Sequence, residues 1–323
     1  MAKIAQVGCG YWGKNLCRNF AELGLLGAVV DGDPETAAKM AATYGVPVLT
    51  FDEVLADPEI GGICLATPAP THASLALRAI AAGKGVMIEK PLALTSDDGA
   101  AVVDAARQAN VPLMVGHLLQ YHPVFVALRE LVRGGELGAL RYVYSNRMSL
   151  GKFRIEENVL WSFAPHDISM LLALTDSPVA TVAAQGAAIV TPGIADWCTV
   201  QLAFENGLRG HVQVSWLHPF KEHRLVVVGD RAMAVFDDSE PDWDRKLSLY
   251  DHGIDRTGSA PVPVKADARY VRVERGEPLR TECAHFGACV ANGTTPQTDG
   301  VEALAVLRVL EQAEAQLARS LAR

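Results

Sequence analysis

A Gly-x-Gly-x-x-Gly pattern occupies positions 8 to 13 of the chain and has the spacing of a phosphate-binding turn. The apolar segment before it is typical of a short buried strand, and the segment Lys14–Leu23 after it has helical spacing. Glycines let a backbone approach a pyrophosphate closely, and the first turn of a helix offers N–H groups that bind it. The pattern predicts a dinucleotide site formed by Gly8, Gly10, Tyr11, Trp12 and Gly13.

Asp31 follows the next apolar run, Leu25–Val30, at the spacing expected for a carboxylate that binds a ribose 2′-hydroxyl. The segment Asp31-Gly32-Asp33 contains no arginine, which the 2′-phosphate of NADP would need nearby. We therefore expect NAD as the cofactor, with NADP as the less favoured alternative.

Lys90 stands at the end of another apolar run, in the segment Val86-Met87-Ile88-Glu89-Lys90-Pro91. If this run is a parallel strand, Lys90 lies at the carboxyl edge of the sheet, where ligands of open α/β folds bind. Pro91 restricts the residue before it to an extended conformation. On this spacing alone, Lys90 is more simply interpreted as a solvated surface lysine.

Composition excludes several classes of partner. The 323-residue chain is 50% apolar, which is enough for two cores, and its formal net charge of −8 is spread without basic blocks. We therefore expect neither nucleic acid nor a membrane as a partner. Without a leader pattern or a long apolar span, the expected location is cytoplasmic. The six cysteines have no metal-binding spacing, so we expect neither a metal nor a disulfide.

The first 118 residues alternate apolar runs with alanine-rich helical segments, an order typical of parallel strands joined by crossover helices. We therefore expect an α/β Rossmann domain with a parallel sheet over residues 1–118. The predicted strands are Ile4–Val7, Ala28–Val30, Ile63–Ala66, Val86–Ile88 and Leu113–Val115, and the predicted helices cover 34–45, 71–83 and 96–109.

Residues 119–323 are expected to form an α+β domain with a large, mainly antiparallel open sheet. After a predicted helix at Val124–Arg133, long segments such as Leu208–Trp216 alternate apolar and polar residues, as half-buried strands do. Such a sheet is a common subunit interface, so we expect a homodimer or homotetramer. An irregular loop over 256–278 and an amphipathic helix from about Gly300 to Leu321, able to pack back on the first domain, complete the prediction.

Motifs spread over nearly the whole chain form a combined pattern. They are the glycine turn, Asp31-Gly32-Asp33-Pro34, Ala66-Thr67-Pro68 with Thr71-His72, Glu89-Lys90-Pro91, and the segments 280–286 and 296–300. Together they resemble the glucose-fructose oxidoreductase, inositol dehydrogenase and MocA family. The resemblance implies that Lys90 orients a substrate hydroxyl and assists proton transfer, since a cation stabilises a developing alkoxide. It also places Thr67, Pro68, His72 and Glu89 near the cofactor, although His72 is also interpretable as a buried structural histidine.

The resemblance further implies a catalytic histidine in the second domain. The segment Trp161–Ile168 aligns His166 with it, and an imidazole can accept a hydroxyl proton near neutral pH. A structural histidine at a helix start is the alternative. The family usually has an aspartate four residues earlier, where this chain has Ser162, so the proton relay is open. Asp167 is a substitute by sequence, but as the next residue on a helix it should point elsewhere.

Two further segments contain candidate ligands of cofactor or substrate. His117 and Gln120 follow the last predicted Rossmann strand and should overlook the nicotinamide, with packing as the alternative. A polar and basic cluster just before the His166 helix suits an anionic or hydroxyl-rich substrate, with a solvated loop as the alternative. Its members are Asn146, Arg147, Lys152 and Arg154.

The segments His117–Pro123, Ser145–Arg154 and Leu160–Asp167 resemble the branch of the family that oxidises nucleotide-sugar hydroxyls at C3 in amino-sugar pathways. The resemblance implies an NAD-dependent sugar dehydrogenase, most simply one acting at C3 of a UDP-linked hexose. One alternative is an inositol or aminoglycoside-sugar dehydrogenase. A second, of another class, is a non-catalytic regulator that binds NAD.

Overall fold

The alternating first part of the chain folds as a five-stranded parallel sheet with connecting helices. The computed structural model describes residues 3–175 and 177–321. The elements of this part are β1 Lys3–Val7, α1 Gly13–Glu22, β2 Leu26–Val30, α2 Pro34–Tyr44, α3 Phe51–Ala56, β3 Ile60–Leu65, α4 His72–Ala81, β4 Gly85–Ile88, α5 Ser96–Ala109 and β5 Leu113–Val115. The strand order is β2-β1-β3-β4-β5, with every pair parallel. The predicted Rossmann sheet is confirmed.

Local sequence signals set the ends of these helices. Asp33 caps α2 by accepting a hydrogen bond from the Thr36 N–H, and Pro34 starts the helix with its fixed φ. Helix α3 is short and was not among the predicted helices. A helix-start signal is present in the sequence, because Thr50 and Glu53 form a reciprocal capping box.

The second part of the chain forms an eight-stranded sheet. The elements of this part are α6 Pro123–Arg133, β6 Leu140–Met148, α7 Val159–Ala173, β7 Val179–Ala187, β8 Trp197–Phe204, β9 Arg209–Ser215, β10 Glu222–Gly229, β11 Met233–Asp237, β12 Leu247–Tyr250, β13 Gly253–Asp255, β14 Val262–Val264, β15 Arg269–Tyr270, α8 Pro278–Asn292 and α9 Gly300–Leu321. The strand order in the large sheet is β15-β12-β11-β10-β6-β9-β8-β7, and only the central β6–β9 pair among the described pairs is parallel. A separate hairpin pairs β13 with β14.

The predicted alternation in β9 is confirmed: its alternate apolar positions are buried and Arg209 is exposed. Ser215 departs from the pattern, since it is buried and its hydroxyl donates to the Asp196 carbonyl. The loop expected over 256–278 contains two short strands, β14 and β15, which the proline spacing concealed. The helix expected from Gly300 to Leu321 is confirmed as α9.

The chain folds as two compact units, and each takes part of the C-terminal region. The first joins the residues up to Tyr121 with Glu277–Arg308, and the second joins His122–Gly276 with the segment from Val309 onward. Within the first unit, α8 packs against α1, where Phe20 and Phe286 meet edge to face with ring centroids 6.5 Å apart.

All six cysteines are free and buried. In the part of the chain that the structure describes, no helix is long and apolar enough to cross a membrane. Within residues 3–175 and 177–321, no group of three or more His, Cys, Asp or Glu side chains is placed to hold a metal ion.

Candidate active site

The turn between β1 and α1 has little room for any residue but glycine at two positions. Gly8 has a φ of +85°, and a Cβ there would lie 2.5 Å from the Ala66 carbonyl oxygen. A Cβ on Gly13 would lie 2.0 Å from the Gly8 carbonyl oxygen. Gly10 differs, since a Cβ there would meet no atom within 4 Å. Gly8 and Gly13 close the turn, and Gly10 leaves open space beside its backbone.

Asp31 is tied to this turn through the main chain. Its carboxylate accepts hydrogen bonds from the Cys9 N–H at 2.6 Å and from the Asp33 N–H at 2.8 Å. Trp12, at the start of α1, makes no side-chain cap, so the helix N-terminus can receive an anion. The open glycine backbone, the uncapped helix start and the fixed carboxylate fit the pyrophosphate and ribose of a dinucleotide.

Glu89, which directly follows β4, contacts Trp12 at the start of α1. The indole Nε1 of Trp12 donates to its Oε1 at 2.6 Å. Desolvation raises the pKa of Glu89 to about 7, against the opposing effects of the Trp12 hydrogen bond and of the Lys90 charge. The residue therefore changes its charge near neutral pH. Tyr11, on the turn itself, is 87% exposed.

His72 braces the loop that follows β3. Its Nδ1 lies 2.8 Å from the Pro91 carbonyl oxygen and its Nε2 lies 2.8 Å from the Thr67 carbonyl oxygen. The side chain is buried, and desolvation lowers its pKa. Both ring nitrogens are used on main-chain atoms, so the geometry favours the structural interpretation of His72. It links the loop of Thr67 and Pro68 to the segment that contains Lys90.

His117 and Gln120 meet a residue that the sequence analysis did not single out. His117 Nδ1 lies 2.7 Å from Glu302 Oε2, and Gln120 Nε2 donates to Glu302 Oε1 at 2.9 Å. Both His117 and Gln120 are buried. Glu302 lies in the first turn of α9, just after the family-like segment 296–300, which was the available signal. A carboxylate on Nδ1 orients the imidazole and favours a proton on that nitrogen.

In the second unit, the helix α7 carries Ser162, which is buried, and His166, which is half-buried. Asn158 caps this helix by accepting from the Leu160 and Trp161 N–H groups. Glu314 of α9 accepts from Asn158 Nδ2 at 2.9 Å and from Trp161 Nε1 at 3.0 Å. Sequence reasoning missed Glu314, which fixes the first turn of the helix that bears the candidate base.

The four residues predicted as one polar cluster have different surroundings. Asn146 donates to Glu222 Oε1 at 2.8 Å within the sheet, and Arg147 is buried against Asp167. Lys152 and Arg154 lie on the exposed segment after β6, where Arg154 pairs with Glu157 at 2.9 Å. Asp167 contacts Ser145 and Arg147 of β6, whereas the sequence predicted only that it would point in a different direction from His166.

Family models match both parts of the chain. Residues 2–117 match the model described as an oxidoreductase family with an NAD-binding Rossmann fold, and residues 125–235 match the GFO/IDH/MocA C-terminal domain. The chain belongs to the Gfo/Idh/MocA oxidoreductase family. It is an NAD-dependent oxidoreductase that acts on CH–OH groups, and the resemblance inferred from its motifs is confirmed.

Relatives of known activity match over most of their length. UDP-N-acetylglucosamine 3-dehydrogenase from Acidithiobacillus ferrooxidans is 28% identical over 310 residues, covering 93% of this chain and 92% of that protein. A solved structure of this enzyme superposes with a TM-score of 0.87 at 26% identity and covers 99% of both chains. The scyllo-inositol 2-dehydrogenase of Bacillus subtilis is 24% identical over 293 residues, covering 86% of this chain and 82% of that protein.

Proposed function

We propose that this protein oxidises a ring hydroxyl of a nucleotide-linked sugar to a ketone, with C3 of a UDP-hexose as the reacting carbon and amino-sugar biosynthesis as its setting. The observation that carries the proposal is the similarity to a UDP-N-acetylglucosamine 3-dehydrogenase, which extends over 93% of the chain. The segments Ser145–Arg154 and Leu160–Asp167 support it, since their amino-acid sequences resemble those of the nucleotide-sugar branch of the family.

Each proposed catalytic residue has a separate task. Bound NAD would supply the acceptor for the hydride that leaves the substrate carbon. The Lys90 ammonium stabilises the alkoxide that develops on the substrate oxygen. His166 accepts the hydroxyl proton, since imidazole titrates near neutral pH. Gly8, Gly10 and the Asp31 carboxylate hold the dinucleotide.

Lysine substitution separates this function from mere NAD binding. Purified protein is mixed with NAD and with UDP-glucose, UDP-N-acetylglucosamine or its uronic acid, and absorbance at 340 nm is followed. We expect NADH to form with a UDP-sugar, and we expect its rate of formation to fall at least 100-fold in the Lys90→Ala variant. The control Lys39→Ala removes an exposed lysine of α2 and should keep the wild-type rate. NMR of the product identifies the oxidised carbon. Equal rates in wild type and Lys90→Ala would contradict the assigned role.

One observation favours a second candidate, a dehydrogenase of an inositol or of an aminoglycoside sugar. The guanidinium of Arg147 is held by Asp167, so one arginine expected to meet a diphosphate is occupied within the protein. A free cyclitol needs no diphosphate ligand. If the protein oxidises myo-inositol, oxidises none of the UDP-sugars and shows no measurable binding of UDP, this alternative is selected over the first.

We also propose that the protein is cytoplasmic and assembles as a homodimer or homotetramer through the eight-stranded sheet. An aromatic pair on the central strand β6 supports this assembly, since Tyr142 is 36% exposed and its ring centroid lies 5.5 Å from that of the half-buried Tyr144. Light scattering during size exclusion measures the mass. Tyr142→Lys is expected to lower it, and a monomeric wild type would refute the proposed assembly.

A further inference from the structure

We propose that the ion pair of Arg147 and Asp167 positions His166, so that Arg147 is a positioning residue and not a ligand of the substrate. The inference rests on the role of His166 proposed above. It concerns residues of the second unit only, and it assigns a task to two charged side chains that the mechanism does not otherwise use.

The pair joins the central strand β6 to the helix α7. Arg147 Nε donates to Asp167 Oδ2 at 2.6 Å, and its second terminal nitrogen donates to Oδ1 at 3.3 Å. The Ser145 hydroxyl donates to Oδ1 at 2.5 Å. The side chain of Asp167 is fully buried, and that of Arg147 is 10% exposed. Two charges buried to this degree are tolerated because each satisfies the other.

Three of the five N–H groups of the Arg147 guanidinium are directed at protein atoms, and the side chain is 10% exposed, so little of it can reach a substrate. The other terminal nitrogen of the guanidinium lies 3.1 Å from His223 Nδ1. A guanidinium can only donate, so His223 Nδ1 is the acceptor in this contact. Burial, the main cause that lowers the pKa of His223, favours the neutral ring that this contact needs. All three guanidinium nitrogens therefore contact protein atoms. Asp238 lies beyond His223, and Lys246 holds that carboxylate at 3.2 Å, so the surrounding charges are themselves paired.

Asp167 follows His166 directly, and consecutive residues on a helix point about 100° apart. Fixing the carboxylate of Asp167 against β6 therefore fixes the rotation of α7 about its axis and the direction of the imidazole beside it. Pro165 lies in the same turn of the helix and has no N–H for the backbone ladder. The ion pair therefore fixes α7 to the sheet at the point where the helix lacks one of its own backbone hydrogen bonds.

The test replaces the pair by apolar residues of similar size, because removing one partner alone would leave a buried charge. The variant is the double substitution Arg147→Met with Asp167→Leu. The control is Arg224→Met with Asp237→Leu, which removes another arginine–aspartate pair of the same sheet, one in which two guanidinium nitrogens donate to Asp237 Oδ2. We expect kcat to fall about 10- to 100-fold in the first variant, as a misplaced catalytic group costs. KM for NAD is expected to stay unchanged in both, and the control is expected to keep its kcat.

A double-mutant cycle with His166→Ala distinguishes positioning from binding. If the pair acts through His166, its removal causes no further fall in kcat once the imidazole is absent. If Arg147 binds the substrate anion, the variant instead raises KM for the sugar, and its effect multiplies with that of His166→Ala. That second result would overturn the inference. Should the double variant fail to fold, Arg147→Lys keeps the charge but loses the two-point contact, and the same cycle applies.

NMR of protein labelled with 15N-histidine provides a readout that needs no substrate. The ring signals of His166, assigned with His166→Gln, are expected to shift or broaden in the Arg147→Met, Asp167→Leu variant and to stay in place in the control. Unchanged signals would refute the positioning role. If the wild type oxidises no sugar, the proposed function fails, yet the NMR comparison still decides whether the pair sets the imidazole.

Discussion

Glu89 makes the stability of the first unit depend on pH in an unusual direction. Its carboxyl has a pKa of about 7 in the folded chain, mainly because desolvation disfavours the charged form, against an ordinary value of 4.5. Between these values the folded protein holds a proton that the unfolded chain has released. Its contribution to the free energy of unfolding is therefore complete below about pH 4.5 and is lost as the pH rises through 7.

The substitution Glu89→Gln isolates this effect. Glutamine keeps an oxygen that can accept from Trp12 Nε1, as Glu89 does at 2.6 Å. It cannot ionise, however. The difference between the two pKa values corresponds to about 3 kcal/mol at full ionisation, which is an upper figure because water reaches the half-buried carboxyl. Glu282 is a fully buried carboxyl of α8, and its burial and the Glu89 charge raise its pKa. The substitution removes this repulsion by Glu89 as well, which acts in the same direction and adds to the gain in stability of the variant at high pH.

Urea unfolding at pH 5 and at pH 8 measures the effect. We expect the variant to match the wild type within about 1 kcal/mol at pH 5 and to exceed its free energy of unfolding by about 2–3 kcal/mol at pH 8. Glu59→Gln, at an exposed glutamate of the same unit, serves as the control and should leave both values unchanged. A variant that is less stable than the wild type at pH 8 would show that the ionised carboxylate stabilises the turn and would refute this reasoning.

Two further substitutions test the elements that hold the site. Gly13→Ala places a Cβ 2.0 Å from a backbone oxygen and should abolish NAD binding measured by calorimetry. The control Gly32→Ala, where no atom lies within 4 Å of the added Cβ, should retain the fold. Tight NAD binding by Gly13→Ala would contradict the described turn. Glu314→Ala leaves two donors at the start of α7 without an acceptor and should lower the free energy of unfolding by about 1–3 kcal/mol. Urea titrations followed by tryptophan fluorescence measure this change, and an unchanged midpoint would count against the proposed contact.

Local patterns in the sequence determined the two sheets of the fold and the glycine turn of the candidate site. Strand and helix periodicities are properties of neighbouring residues, so the parallel sheet, α9 and the alternation in β9 could be predicted. The glycine turn and Asp31 could also be found, because backbone clearance and chain connectivity fix their spacing. The short helix α3 and the strands β14 and β15 were missed, because so few residues carry little periodicity.

Only the tertiary structure decided which polar side chains are partners. Arg147 and Asp167 are 20 positions apart and His117 and Glu302 are 185 positions apart, and no local pattern connects the members of either pair. The sequence alone predicted Arg147 as a substrate ligand and gave no role to Glu302. A charged side chain on a strand can face either a ligand or a buried counter-ion. The packing of α7 over the sheet decides between them for Arg147, because it places Asp167 beside the guanidinium. A buried charge is stable only where such an oppositely charged partner lies next to it.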